Sequence, residues 1–343
     1  MALIAAIGLI LLFEIGFVWQ FRYHIWDANY IFLEQKRNKL TGDSPADDVA
    51  ILGSSRFLHL KPSDISAALG GATVTNYSWG YCGIEAYEAM LRGLINAGRV
   101  PKLVIVDGMP EIFGNNTAVL TVTEAPKLRT GYAVTAPFLA TMRTQIGQKE
   151  WRTAWQLFAQ KMTPLSTQYR DWLRASLQVL LSTGKLPPLP ADYEETAGAW
   201  KKQGWTNFAP QAYVATQEDF KAFARETGPY VLRKESKKIA WKYERFVRLA
   251  RDHNVQILSI AVPNNDLVFE AYTQQGIYEK YSEWLDGLQR KYNNFHAPRP
   301  HFLHWPDTLG DAIHVNAEGA KRHMEMVLQT VQSKYQDGSL VVH

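Results

Sequence analysis

The chain of 343 residues, 39.0 kDa, is 46% hydrophobic and 20% charged, a composition that supplies a large core and excludes disorder as the main state. Its 37 Lys plus Arg stand against 33 Asp plus Glu with no long basic run, so nucleic acid is not an expected partner. Cys82 is the single cysteine, which excludes an intrachain disulfide and a cysteine-rich zinc site and leaves the redox compartment undecided.

From Ala2 to Phe21 the chain reads ALIAAIGLILLFEIGFVWQF, and about twenty residues at ~1.5 Å each match the ~30 Å hydrocarbon layer of a bilayer. The expectation is one transmembrane helix over residues 1–22, ended by the interfacial aromatics Trp19, Phe21 and Tyr23 rather than by a cleavage site. Glu14 interrupts the apolar run, either as a protonated or snorkelling carboxyl or as a contact to a membrane partner. Arg22, Lys36, Arg37 and Lys39 follow the helix, and by charge alone would hold the following domain in the cytoplasm.

After a connector over residues 23–48, β-branched runs alternate with amphipathic stretches through residues 49–343. The patterns predict strands at Val49–Leu52, Thr73–Tyr77, Leu103–Val106, Val255–Val262 and His301–Trp305. Between them fall predicted helices at Ser63–Leu69, Ile84–Ala97, Lys234–His253 and across Asp266–Lys291, and a terminal helix N-capped by Asn316. This alternation implies βαβ units, a parallel sheet and an α/β fold, with chemistry outside the carboxyl ends of the strands. Residues 115–228 carry aromatic helical pieces and a proline-rich bend, and read as an insertion forming a lid or groove wall.

Two constellations sit where such a sheet places its ligands. Gly53-Ser54-Ser55-Arg56 follows the first strand, a tight turn that lifts a serine hydroxyl above the sheet edge. Asp311-Ala312-Ile313-His314 follows the last strand, a spacing that lets the carboxylate fix an imidazole tautomer while the other ring nitrogen faces a serine.

With these motifs the chain resembles the SGNH (GDSL-like) serine esterase superfamily. The resemblance implies a flavodoxin-like three-layer sandwich, Ser55 as nucleophile, His314 as general base and then acid, and Asp311 as its orienter. It also implies an oxyanion glycine in Asn76-Tyr77-Ser78-Trp79-Gly80-Tyr81-Cys82-Gly83, with Gly80 ahead of Gly83. The family's third block, Gly-x-Asn-Asp, is replaced by Val106-Asp107-Gly108-Met109-Pro110. A lost oxyanion donor costs about 3 to 4 kcal/mol of transition-state stabilisation, and Asn264 or Asn265 after the fourth strand are the candidate substitutes. Arg56 either steers an anionic polymer or pairs with a carboxylate.

The membrane helix, the Gly-Ser-Ser turn and the insertion together look like the envelope acyl-transfer branch of that superfamily, which includes proteins of teichoic-acid D-alanylation and of alginate and cellulose acetylation. The resemblance implies O-acyl transfer to a cell-envelope polysaccharide outside the cytoplasmic membrane, beside a membrane-bound O-acyltransferase. A polysaccharide O-acetyl esterase and a non-catalytic glycan-binding or scaffold subunit are the alternatives. No cofactor is expected, since neither a P-loop nor a GxGxxG run is present. Trp79, Trp205 and Trp305 are candidates to stack on sugar rings; Cys82 as a nucleophile and His296, His301 and His304 as metal ligands are weaker candidates.

Overall fold

The computed structural model describes residues 45–78, 84–108, 170–185, 234–264, 266–274, 276–310 and 314–342, with helical residues 8–10 and 12–13. Its centre is a five-stranded sheet of β1 (Val49–Leu52), β2 (Val74–Asn76), β3 (Leu103–Gly108), β4 (Gln256–Ala261) and β6 (Phe295–His296). The order is β2-β1-β3-β4-β6 and every pairing is parallel. All residues of β1 and β3 are buried, as expected when helices cover both faces and the strands carry continuous apolar side chains.

The helices are α1 (Pro62–Ala68), α2 (Ile84–Asn96), α3 (Arg170–Thr183), α4 (Lys234–Asp252), α5 (Asp266–Gln274), α6 (Ile277–Lys291) and α7 (Ala317–Gln336). The chain steps from β1 outward to β2 and then back across β1 to β3, so right-handed crossovers put α1 and α2 on opposite faces. Accordingly α1 packs with α7, and α2 with α4. The second pair is tied by buried Glu88, which accepts from Arg92 Nε at 3.0 Å and from Arg245 Nε at 2.8 Å. The reversal leaves a crevice between the carboxyl ends of β1 and β3, the switch point where open α/β sheets bind ligands.

The sequence reading of the sheet differs from the structure at its last strand and at the end of β3. The run His301–Trp305 supplies only β7 (Leu303–His304), which pairs with β5 (Pro263–Asn264) in a separate two-stranded sheet. The fifth strand of the main sheet is the two-residue β6, too short for alternation to reveal. The stretch Asp266–Lys291, expected to be largely helical, supplies two helices, α5 and α6. Strand β3 runs two residues past Val106, bringing Asp107 and Gly108 into the sheet.

Among the described residues no helix is long and apolar enough to cross a membrane. The expected span at Ala2–Phe21, Glu14 included, lies outside the described residues apart from 8–10 and 12–13. Of the expected insertion over 115–228 only 170–185 are described; there α3 exposes Leu177 and Leu181.

Candidate functional site

Strand β1 ends at Leu52, and the chain turns at Gly53 into a single 3-10 turn, Ser55–Phe57. Ser54 caps it, its Oγ accepting from Arg56 N at 3.3 Å. The turn is so tight that a Cβ on Gly53 would stand 2.6 Å from Phe57 Cβ, which only glycine avoids. Asn76 at the end of β2 braces the far side, donating from Nδ2 to Phe57 O at 2.9 Å and to Leu60 O at 3.0 Å. Its Oδ1 accepts from Ser78 N at 2.9 Å, so one buried amide fixes two neighbouring loops.

The other half of the site is a loop closed by an antiparallel bridge between Leu309 and Val315 and by Gly310 N donating to His314 O at 2.8 Å. Asn316 then starts α7. Its Oδ1 accepts from Gly319 N at 2.9 Å, its Nδ2 donates to Asp307 O at 3.1 Å, and its own N donates to Thr308 O at 2.8 Å. The helix start approaches so closely that a Cβ on Gly319 would lie 2.1 Å from Thr308 O. Backbone is on both sides of that contact, so Gly319→Ala is expected to cost about 3 kcal/mol and to displace His314 five residues upstream. Thermal melting and the acylation assay described below, run together, check both effects.

These two supports bring His314 Nε2 to 2.7 Å from Ser55 Oγ across 259 residues of sequence. The neighbouring serine has a different fate: Ser54 Oγ donates to Asp107 Oδ2 at 2.6 Å, and Ser54 N donates to the same oxygen at 2.9 Å. Tyr87 OH donates to the other carboxylate oxygen, Oδ1. Asp107 is fully buried, and burial pushes its carboxyl up from the ordinary value while the bonds from Ser54 and Tyr87 and the charge of Arg56 pull it down.

Arg56 points inward and is buried, its guanidinium acting electrostatically on Asp107 and on His323. Asn264 is buried too, with Nδ2 donating to Val262 O at 3.1 Å and its backbone carbonyl accepting from Trp305 N at 3.2 Å. Asp311, Gly80, Gly83, Asn265, Cys82, Trp79 and Trp205 lie outside the described residues. Trp305 is half-buried, with the Arg322 guanidinium 4.2 Å from its ring centroid. The histidines read as a loose cluster are placed separately: His304 bonds Asp266, His301 Nε2 bonds Ala297 O at 3.0 Å, and His296 stands on β6 with its Nε2 buried and without a hydrogen-bond partner among the described residues.

Three residues near the site escaped the sequence reading. Asp107 had a signal, since an acid closing the otherwise apolar run LVIVD on a buried strand needs partners. His59 and His323 had none. His323 Nε2 bonds Ala261 O at 2.9 Å and its Nδ1 lies 2.9 Å from His59 Nε2, which ties α7 to the turn beyond Ser55. Comparison with known proteins returns no match, whether to a family model, a curated protein or a solved structure.

Proposed function

We propose that the chain is a serine-nucleophile O-acyltransferase of SGNH-like type, anchored in the cytoplasmic membrane and acting through an acyl-enzyme on a cell-envelope polysaccharide. The observation that carries the chemistry is the 2.7 Å contact between Ser55 Oγ and His314 Nε2 at the carboxyl end of a parallel sheet. For Nε2 to accept the serine proton the imidazole must carry its hydrogen on Nδ1, and Asp311 is proposed to hold that tautomer. The strand order β2-β1-β3-β4-β6 supports a flavodoxin-like, SGNH-type sandwich as the scaffold.

In this mechanism Ser55 Oγ attacks the acyl carbonyl as its proton passes to His314 Nε2. The tetrahedral intermediate collapses, the leaving group departs with the proton from His314, and the acyl group remains on Ser55. A sugar hydroxyl then gives its proton to His314 and attacks the acyl-serine, regenerating the Ser55 hydroxyl. Backbone N–H groups at Gly80 or Gly83 are proposed for the oxyanion. Asn264 has one amide hydrogen beyond its bond to Val262 O, but that bond ties the group to the backbone two residues upstream and makes it the weaker donor.

Placement outside the membrane and a membrane-bound O-acyltransferase partner rest on the resemblance of the apolar N-terminus, the Gly-Ser-Ser turn and the insertion to the envelope acyl-transfer branch. The test is to incubate the full chain with a chromogenic acetyl ester and follow Ser55 by peptide mass spectrometry. An acetyl adduct on Ser55 that is discharged faster by added polysaccharide than by water supports transfer. Equal discharge by water supports the esterase, and a chain that never acylates at Ser55 overturns the proposal.

A further inference from the structure

The residue before the proposed nucleophile is held more firmly than a surface turn requires. Ser54 makes four hydrogen bonds: its N and Oγ both donate to Asp107 Oδ2, at 2.9 and 2.6 Å, its Oγ accepts from Arg56 N at 3.3 Å, and its carbonyl accepts from Phe57 N at 3.0 Å. Asp107 in turn is anchored on β3 and bonded by Tyr87 OH from α2. A fully buried carboxyl at the end of an apolar strand is costly unless its oxygens are satisfied, and the donors that satisfy it come from the nucleophile turn and the helix beside it. The linkage crosses the switch point between β1 and β3.

We infer that Asp107, acting through Ser54, is a positioning residue that sets the Ser55 hydroxyl at hydrogen-bonding distance from His314. The inference rests on the acyl-transfer reading and adds to it the part of the site that stands where the third-block asparagine of the resembled family is missing. Asp107 touches no reacting atom. It fixes the Ser54 backbone, and with it the first residue of the 3-10 turn; a shift of about 1 Å at a reacting group lowers rates roughly 100-fold.

The substitutions separate geometry from charge. Asparagine at 107 can present its oxygen to Ser54 N and Oγ and its amide to the Tyr87 oxygen, so Asp107→Asn keeps the clamp and removes the charge. Ser54→Ala removes the side-chain bond and the cap together but leaves Ser54 N on Asp107. Asp107→Ala removes the clamp.

The experiment labels the full chain with a fluorophosphonate, in which a Ser55 Oγ–P bond forms, fluoride leaves and the serine proton passes to His314. The saturating rate kinact is read apart from the half-saturating concentration KI, at a temperature where melting curves show each variant folded. The expected result is a fall in kinact of about 10- to 100-fold for Ser54→Ala and Asp107→Ala, with KI unchanged, and Asp107→Asn within about threefold of wild type. If Asp107→Ala does not fold, the Ser54→Ala and Asp107→Asn pair decides alone. Undiminished kinact in Ser54→Ala, or Asp107→Asn as impaired as Ser54→Ala, overturns the inference while labelled wild type leaves the acyl-transfer reading standing. Wild type that takes no label at Ser55 overturns that reading, and the inference falls with it.

Discussion

Replacing Ser55 or His314 by alanine is expected to lower the rate of ester cleavage by about 1,000-fold or more, and the double variant is expected to be no worse than either single one. The reasoning is geometric. With Nε2 at 2.7 Å from Oγ, the two groups form a single proton-transfer unit; losing the base leaves a hydroxyl too weakly nucleophilic at neutral pH, and losing the hydroxyl leaves a base with no nucleophile to activate. Groups that act as a unit are non-additive, whereas two independent contributors would multiply. The rate of chromophore release from a chromogenic acetyl ester measures all three variants on one scale. A scaffold subunit predicts a flat result across the series, so additive losses or no losses would remove the serine mechanism. Melting temperature serves as the control, because neither side chain belongs to the buried apolar core.

That unit is visible from the sequence only as two separated motifs. The strand VAIL matches β1 residue for residue, and Asn316 caps α7 as its position predicts. These features are local, set by apolar runs and by one side chain bonding one backbone N–H. What brings Ser55 and His314 together is longer-ranged: Gly319 against Thr308, Asn76 across two loops, and Asp107 under Ser54. None of these has a period or a spacing. Glycine at 319 reads as an ordinary helix residue until a backbone carbonyl is found where its Cβ would be, and Asn76 reads as part of a loose glycine-rich motif. The short β6 was missed for the same kind of reason, since two residues that pair with Ile257 and Leu258 gain their strand character from the neighbour rather than from their own sequence.

The last expectation concerns acid. His323 is fully buried, and burial, with the charge of Arg56 in the same direction, pushes its imidazole down to about 4 against the opposing bond to Ala261. His59 is likewise held well below its ordinary value by burial and by His323. Nε2 of His323 donates to Ala261 O, so its Nδ1 must accept from His59 Nε2. A proton on His323 Nδ1 turns that acceptor into a donor, so the tie between α7 and the turn beyond Ser55 then requires His59 to move its own hydrogen to Nδ1 and accept at Nε2.

The unfolded chain takes up that proton near pH 6.5, before the folded chain does, so the stability from this site is complete above about pH 6.5 and is lost as pH falls toward about 4. The expected loss from His323 alone is about 2 kcal/mol near pH 5 and about 3 kcal/mol near pH 4. Other groups titrate over the same range, among them Asp107, whose raised carboxyl shifts stability in the opposite sense. The measurement is therefore a difference: urea unfolding of wild type and His323→Gln from pH 7 to pH 4, where glutamine keeps a donor for Ala261 O and an acceptor for His59 but does not titrate. Wild type should lose stability more steeply by the stated amounts, and parallel pH profiles would show that the histidine pair does not set the acid limit of the fold.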